Sequence, residues 1–237
     1  MGSFCPRAAR QAAAGLIRLL AVSFRGWRAE AIEFYEGLEA DNSKTYWNEN
    51  KSVYEHVVFG PMTELLAELT PEFGASKLFR PYRDVRFSTD KAPYKTAIAA
   101  TLELGGYIQL SSEGLGVGSG MWMMAPDQLE RYRKAVSDEV SGASLADLLD
   151  RLRSDGIQAG GHDTLKTAPK GYPKDHQRIE LLRYKGVTSW QQWPPGPWLG
   201  RATAKDRIVK FFRTSRPLSD WLDTNVGPSA LEGRRRH

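Results

Sequence analysis

Apolar residues recur at helical spacing in the first third of the chain. The first run consists of Ala31, Phe34, Tyr35 and Leu38, and it predicts a helix from Ala29 to about Asp41. Ser43 suits the N-cap of a second helix that continues through Tyr54. Gly60 and Pro61 predict a break before a third helix, whose apolar positions are Met62, Leu65, Leu66 and Leu69.

Strands are predicted in the middle of the chain. Two runs of β-forming residues, 97–104 and 107–110, flank Gly105-Gly106, which is typical of a two-residue hairpin. A third strand is expected from Leu115 to Met123. Along it, glycine occupies every second position from Gly114 to Gly120, which leaves one face of the strand without side chains. A helix, a ring or a ligand could then approach the backbone closely, and close packing is the favoured use. This spacing does not match a nucleotide-binding glycine loop.

Helical periodicity returns after Pro126. It predicts two helices, one carrying Leu129, Tyr132 and Val136 and the next carrying Leu145, Leu148, Leu149 and Leu152. A helix over 175–183, a strand over 187–190 and a last helix over 205–226 are expected to follow. The fold class is therefore α+β: N-terminal helices, a central mostly antiparallel sheet with a β-hairpin, and further helices packed on it. No repeat or linker divides the chain, so we expect one domain over residues 24–226.

Both ends of the chain differ in composition from this domain. Residues 1–28 contain five arginines and no acidic residue. Residues 1–23 are expected to be a disordered or non-native extension; an organellar targeting segment is the less favoured interpretation. Residues 227–237 form a basic tail. Because residues 29–237 contain 28 basic and 28 acidic groups, the domain itself is neutral, and the pI of about 9.3 is weak evidence for nucleic-acid binding.

Cysteine and histidine usage gives no indication of a metal site or cofactor. Cys5 is the only cysteine, so it cannot form an internal disulfide, and no zinc-ligand spacing is present. A reducing, cytoplasmic location is expected. Arginines interrupt the most apolar stretch near the N-terminus, so no membrane association is predicted.

Positive charge is concentrated in one internal segment, residues 80–95, which we call the cationic segment. It contains five basic and two acidic residues among sixteen. In an ordered loop its guanidinium groups could grip a carboxylate or phosphate in fork geometry. The residues assigned to such an anion site are Arg83, Asp84, Arg86, Lys91, Tyr94 and Lys95. The alternative is structural: Arg83 or Arg86 pairs with Asp84, Asp90 or a distant carboxylate and fixes the loop.

The cationic segment also resembles a known family. Its residues 82–95, YRDVRFSTDKAPYK, are similar to the signature of an uncharacterised bacterial and fungal family, domain of unknown function twenty-four sixty-one. Three further blocks, 42–54, 118–133 and 169–176, resemble the same family in order. The resemblance implies coverage from about Phe24 to Leu222. It implies no activity, because the family has none that can be carried over.

Two other residues complete the candidate site. His176 is the most plausible proton carrier, since Asp175 and Lys174 are its neighbours; the simpler interpretation is that Asp175 caps a helix and His176 is an ordinary residue of its first turn. Trp122 could form the wall of a pocket, although most of 121–124 is expected to be core. The loop 193–198 carries a tryptophan at each end, which we interpret mainly as anchors of a surface connection.

These features support three hypotheses of function. The first is binding of a small phosphate- or carboxylate-bearing ligand by the cationic segment, in an enzyme or a binding protein. The second is a non-enzymatic interaction module in which the same segment docks an acidic protein partner. Nucleic-acid binding is the third and is disfavoured by the neutral domain.

Overall fold

An antiparallel sheet forms the centre of the molecule. The structure is a computed structural model that describes residues 23–86 and 88–231. Within this part of the chain the strands are β1 Ser76–Leu78, β2 Ala97–Leu102, β3 Gly106–Ser111, β4 Gly114–Met121, β5 Gln158–Gly160 and β6 Val187–Trp193. They lie in the order β1-β2-β3-β4-β6-β5, and every neighbouring pair is antiparallel.

Helices precede, interrupt and follow the sheet. The described residues form α1 Glu30–Ala40, α2 Lys44–Val53, α3 Gly60–Phe73, α4 Pro126–Ser137, α5 Glu139–Ser154, α6 Ile179–Leu182 and α7 Thr203–Asn225. The predicted α+β class is confirmed. Residues 1–22 and 232–237 are outside the described residues, and with them lie most of the predicted N-terminal extension and the end of the basic tail. The domain limits stay a prediction.

One face of the sheet is buried beneath helices. Ala100, Ile108 and Val117 are register neighbours on β2, β3 and β4, and all three are fully buried. Helix α7 crosses this face, where buried hydroxyl pairs join it to the sheet: Ser119 with Ser219 and Ser189 with Ser215, each at 2.9 Å. Because strand side chains alternate between faces, the remaining positions point to the opposite face. That second face carries Tyr107, Gln109 and Trp190, which are only half-buried.

The predicted break at Gly60 and Pro61 is wrong. A π-helical turn, Tyr54–Phe59, joins α2 to α3 without interruption. The N–H of Gly60 donates to the carbonyl of Glu55, five residues earlier. The wider turn accommodates Pro61, which has no N–H to donate.

The hairpin turn also differs from the prediction. Leu102 pairs with Gly106, so the turn consists of Glu103, Leu104 and Gly105, and Gly106 belongs to β3. Gly105 has a φ of +85°, which is the conformation that a three-residue hairpin loop requires at its last position. The side chain of Phe212 would lie 2.9 Å from a Cβ at Gly106, so this glycine allows α7 to pack closely.

Two local predictions need correction, and two short strands were missed. The helix expected over 175–183 is reduced to α6, and Asp175 does not cap it, because the backbone N–H of Arg178 bonds to the His176 ring instead. Met123 is not core: it is 68% exposed, and Trp122 beside it is 65% exposed. Strand β4 ends at Met121. Trp122 and Met123 therefore do not alternate between the two faces of the sheet, an arrangement that would have buried one of them. Strands β1 and β5, three residues each, were not predicted at all.

Candidate functional site

The cationic segment folds back on itself as an irregular ribbon. Tyr82 forms an antiparallel bridge with Tyr94, and the N–H groups of Arg83 and Lys95 donate to the carbonyls of Pro93 and Pro81 at 2.9 and 2.8 Å. Phe87, near its tip, lies outside the described residues. The ribbon is therefore held by backbone hydrogen bonds rather than by a regular strand pair.

Asn42 and Trp47 fix this ribbon to the N-terminal helices. The Asn42 amide donates to the carbonyl of Tyr94 at 3.1 Å and accepts from its N–H at 3.0 Å. The rings of Trp47 and Tyr94 stack with their centroids 4.3 Å apart and nearly parallel. Tyr94 is consequently buried, and burial raises the pKa of its hydroxyl. Tyr94, one of the predicted site residues, therefore anchors the ribbon to Asn42 and to Trp47 of α2.

Most cations of the segment have partners within it. Arg83 pairs with Asp90, Arg86 makes two bonds to Asp84 at 3.0 and 2.7 Å, and the Lys91 ammonium donates to the carbonyl of Val85 at 3.1 Å. The bonds from Arg86 hold the pKa of Asp84 at about 2, well below its usual value. These contacts match the structural alternative foreseen for the two arginines. All of them are exposed to solvent, however, and such pairs contribute little to stability.

Arg80 and Lys95 are placed differently. Neither has an acidic partner at ion-pair distance among residues 23–86 and 88–231. The Lys95 ammonium lies 5.4 Å from the centroid of the Phe79 ring. Burial lowers the pKa of Lys95, and the nearby charge of Arg80 lowers it further. The charges of Arg80 and Lys95 thus repel each other at the base of the ribbon.

His176 lies apart from the cationic segment. Its Nδ1 accepts the backbone N–H of Arg178 at 3.0 Å. The Arg178 side chain bonds in turn to the carbonyls of Val136 and Asp138, where α4 meets α5. In the part of the chain that the structure describes, no hydrogen bond, ion pair or ring contact joins His176 to residues 80–95. The structure therefore does not bring these predicted site residues together.

Trp122 lies at the rim of a cleft on the open face of the sheet, which we call the sheet cleft. Its volume is about 860 Å³. The floor is formed by β3, β4 and β6 and carries Tyr107, Gln109 and Trp190, while β5 and the residues after it form one side. The ring of Trp122 stacks on that of His162, with the centroids 3.5 Å apart and an angle of 14° between the planes. Trp122 thus lines a cleft, and its role in binding a ligand stays a prediction.

Two segments distant in sequence meet to build this rim. The backbone N–H of Lys185 donates to the carbonyl of Asp163 at 2.9 Å, and its carbonyl accepts from the N–H of Met124 at 3.0 Å. A Cβ at Gly186 would lie only 2.1 Å from the carbonyl oxygen of Trp122, so the chain requires glycine there. The stretch before β6 therefore holds both Trp122 and His162 in place.

Strand β4 gives the cleft its floor. The Trp190 ring packs against the backbone of Gly116 and Gly118, where a Cβ would lie 2.6 Å and 3.0 Å from ring carbons. The close approach expected from the alternating glycines is confirmed, and the approaching group is a ring from β6. Tyr107, Gln109, His162 and Trp190 were missed as site residues. The glycines were the one signal that could have found Trp190, but its partner strand cannot be identified without the sheet order.

Comparison with known proteins identifies the family. The model of the family described as "Conserved hypothetical protein (DUF2461)" matches residues 30–221. The chain belongs to this family. A solved structure of a conserved hypothetical protein from Pyrococcus furiosus is similar to the chain with 15% identity and a TM-score of 0.35, covering 72% of this chain and 98% of that one. No curated protein matches.

Metal-ligand groups and membrane-spanning helices bear on the kind of site that this family member contains. No group of three or more His, Cys, Asp or Glu side chains is arranged to hold a metal ion within residues 23–86 and 88–231. Over the same residues, no helix has the length and apolar character needed to cross a membrane.

The Asp84–Arg86 contact predicts a measurable titration. In the wild type the Asp84 carboxyl should titrate at about 2, because Arg86 stabilises the ionised form. In Arg86→Ala its pKa should rise toward the ordinary value of 3.8 but not reach it, since the N–H of residue 86 still donates to the carboxylate. Side-chain carboxyl NMR across the pH range measures both values.

Arg83→Ala is the matched control for this experiment. It removes the partner of Asp90, so the pKa of Asp90 should rise while that of Asp84 stays in place. An Asp84 pKa that does not respond to Arg86→Ala would contradict the described ribbon.

Proposed function

We propose that the protein binds a small molecule in the sheet cleft. The observation that carries this proposal is the cleft itself: an open sheet face, walled on one side by β5 and rimmed by the Trp122–His162 stack. Its volume of about 860 Å³ falls within the range of about 300–1,000 Å³ typical of ligand pockets. Its mixture of aromatic rings with a few hydroxyl and amide groups is also typical of such pockets.

The proposal is for binding and assigns no reaction. The two buried serines in the lining, Ser119 and Ser189, are bonded to serines of α7 and are not available to a ligand as nucleophiles. His162 is the one histidine among the described residues of the lining, and its ring is stacked on Trp122. Among the described residues that line the cleft, no hydrogen bond joins His162 to a hydroxyl group that it could activate as a nucleophile.

Filling the sheet cleft should abolish binding. Thr188 lies on β6 in the floor of the cleft, between Gly120 and Gly160 in the register. We expect a library of small metabolites, screened by ligand-observed NMR against the full chain, to contain binders for the wild type. Thr188→Phe should lose them, because the ring occupies ligand space.

Thr63→Phe is the matched control, because Thr63 is exposed on α3, outside the cleft. It should bind as the wild type does. The proposal fails if no metabolite binds the wild type at millimolar concentration, or if Thr188→Phe binds every hit unchanged while remaining folded by circular dichroism.

We also propose a second candidate function, the binding of a small anion at the base of the cationic ribbon. Its specific support is the repulsion between the charges of Arg80 and Lys95, neither of which has an acidic partner at ion-pair distance among the described residues; the charge of Arg80 also helps to lower the pKa of Asp84. A phosphate or carboxylate group between them would remove this repulsion and gain charge-assisted hydrogen bonds. Arg83 and Lys91 would first have to leave their present partners, so the anion is placed at Arg80 and Lys95.

Anion binding predicts a stabilisation that depends on Lys95. Phosphate or citrate at 10 mM, roughly a hundredfold above a Kd of about 0.1 mM, should raise the thermal midpoint, since a ligand that binds only the folded state stabilises by mass action. In Lys95→Met the rise should largely disappear. Lys134→Met, at an exposed position on α4, is the control and should respond as the wild type does. Equal responses from all three proteins would count against this site.

The sequence also leads to expectations about the location of the protein, its partners and its family signature. A cytoplasmic location rests on the single cysteine. Two further functions stay predictions: docking of an acidic protein partner by the cationic segment, and nucleic-acid binding. The assignment of residues 82–95 as the signature of a bacterial and fungal family also stays a prediction. The geometry favours a small ligand over a nucleic-acid strand, because Arg83 and Arg86 are engaged with Asp90 and Asp84.

A further inference from the structure

The floor of the sheet cleft contains a flat aromatic surface. The indole of Trp190 lies against β4, at the two positions where glycine leaves the backbone bare, Gly116 and Gly118. Trp190 also lines the cleft and is only half-buried, so the ring packs on the sheet while part of the residue is exposed to the cleft. Tyr107 flanks it on β3, with the ring centroids 6.2 Å apart. An aromatic ring supported in this way is a stacking surface for another flat ring.

Hydrogen-bonding groups lie around this surface. The Gln109 side-chain oxygen accepts the Tyr107 hydroxyl at 3.0 Å, which orients the amide and leaves its NH₂ group to donate. The side chains of Gln158 and Thr188, across the cleft on β5 and β6, make no hydrogen bond within the part of the chain that the structure describes. An amide donor fixed beside an aromatic surface suits a ring with acceptor atoms on its edge.

Charge in the lining is the third observation. None of the described residues that line the sheet cleft is Lys, Arg, Asp or Glu. Burial raises the pKa of the Tyr107 hydroxyl, so this group is neutral at physiological pH. A charged ligand would lose hydration on entering, which is costly. The guanidinium beside β5, that of Arg153, is already bonded to the carbonyl of Ala159 and to the carboxylate of Asp150. The lining therefore selects against ions.

We propose that the sheet cleft takes an uncharged ligand built on a flat heterocyclic ring, of the nucleobase or nucleoside type. The ring stacks on Trp190, and acceptor atoms on its edge receive the NH₂ of Gln109. The rest of the cleft, up to the Trp122–His162 stack, holds an uncharged substituent. This inference rests on the proposed binding function of the cleft and names the ligand class.

The experiment compares three sets of probes on the full chain. They are the uncharged nucleosides adenosine, guanosine, cytidine and uridine; their 5′-monophosphates; and the uncharged saccharides glucose and maltose. Calorimetry and ligand-observed NMR measure the affinities. At least one nucleoside should bind, its monophosphate should bind at least several-fold more weakly, and neither saccharide should bind.

Variants test the stacking surface and the donor separately. Trp190→Ala should weaken nucleoside binding by about tenfold or more, since stacking on an aromatic ring contributes about 1–3 kcal/mol per base. Trp190→Phe should keep most of the affinity. Gln109→Met retains the length of the side chain without the donor and should also weaken binding, which keeps the test valid if Trp190→Ala does not fold. Equal affinity in Gln109→Met and the wild type would overturn the assigned contact.

The outcomes separate this inference from the proposed function. Cleft binding of only phosphates or only saccharides, abolished by Thr188→Phe, overturns the ligand class and leaves the proposed function standing. Failure of every compound in the nucleoside set and in the wider metabolite library overturns both. A stable dimer in sedimentation that Thr188→Phe disrupts would show that this face binds a second copy of the chain, which also overturns both.

Discussion

The sheet cleft depends on the close approach of the Trp190 ring to the backbone of β4. A side chain at Gly116 or Gly118 would occupy the space of the ring, because a Cβ there would lie 2.6 or 3.0 Å from its carbons. The glycines have no such effect on the opposite face, where the intervening residues Leu115 and Val117 are fully buried beneath the helices. The same eight-residue strand therefore supplies a packed core on one side and a bare floor on the other.

The two faces of the sheet differ in burial and in polarity. On the helical face, aliphatic side chains are buried, and the hydroxyls of Ser119 and Ser189 are hydrogen-bonded to serines of α7. These two hydroxyls are therefore not free to bind a ligand. The open face keeps aromatic, amide and hydroxyl groups half-exposed. Backbone hydrogen bonds of Lys185 to Asp163 and Met124 stabilise the rim of the cleft. Trp122 can therefore stay exposed to solvent while its ring stacks on that of His162.

Much of the fold could be predicted from the sequence, because local patterns specify it. The apolar spacing of α1, α4, α5 and α7 follows directly from burial on one helix face, and Ser43 caps α2 by accepting the N–H of Tyr46 as expected. The π-helical turn and the three-residue hairpin loop could not be read in this way. The π-helical turn depends on how the tertiary structure accommodates Pro61, and the hairpin loop depends on the positive φ of Gly105.

The candidate site was harder to predict because it combines residues from distant strands. Trp190 meets Gly118 across 72 positions of sequence, through the pairing of β4 with β6. The charge pattern instead predicted a site at residues 80–95. In the structure, arginines of this segment pair with Asp84 and Asp90, which are close to them in sequence. Local charge density therefore marked an ordered ribbon, and the alternating glycines marked the floor of the cleft.

Indole N–H signals in a ¹H–¹⁵N NMR spectrum test the central claim most directly, because the seven tryptophans report on different regions. Trp190 and Trp122 lie in the sheet cleft, whereas Trp47 lies beneath the cationic ribbon. With the signals assigned by Trp→Phe substitutions, titration with a binding nucleoside should shift Trp190 and Trp122 and leave Trp47 in place. Shifts confined to Trp47, or no shift at Trp190 on binding, would contradict the account.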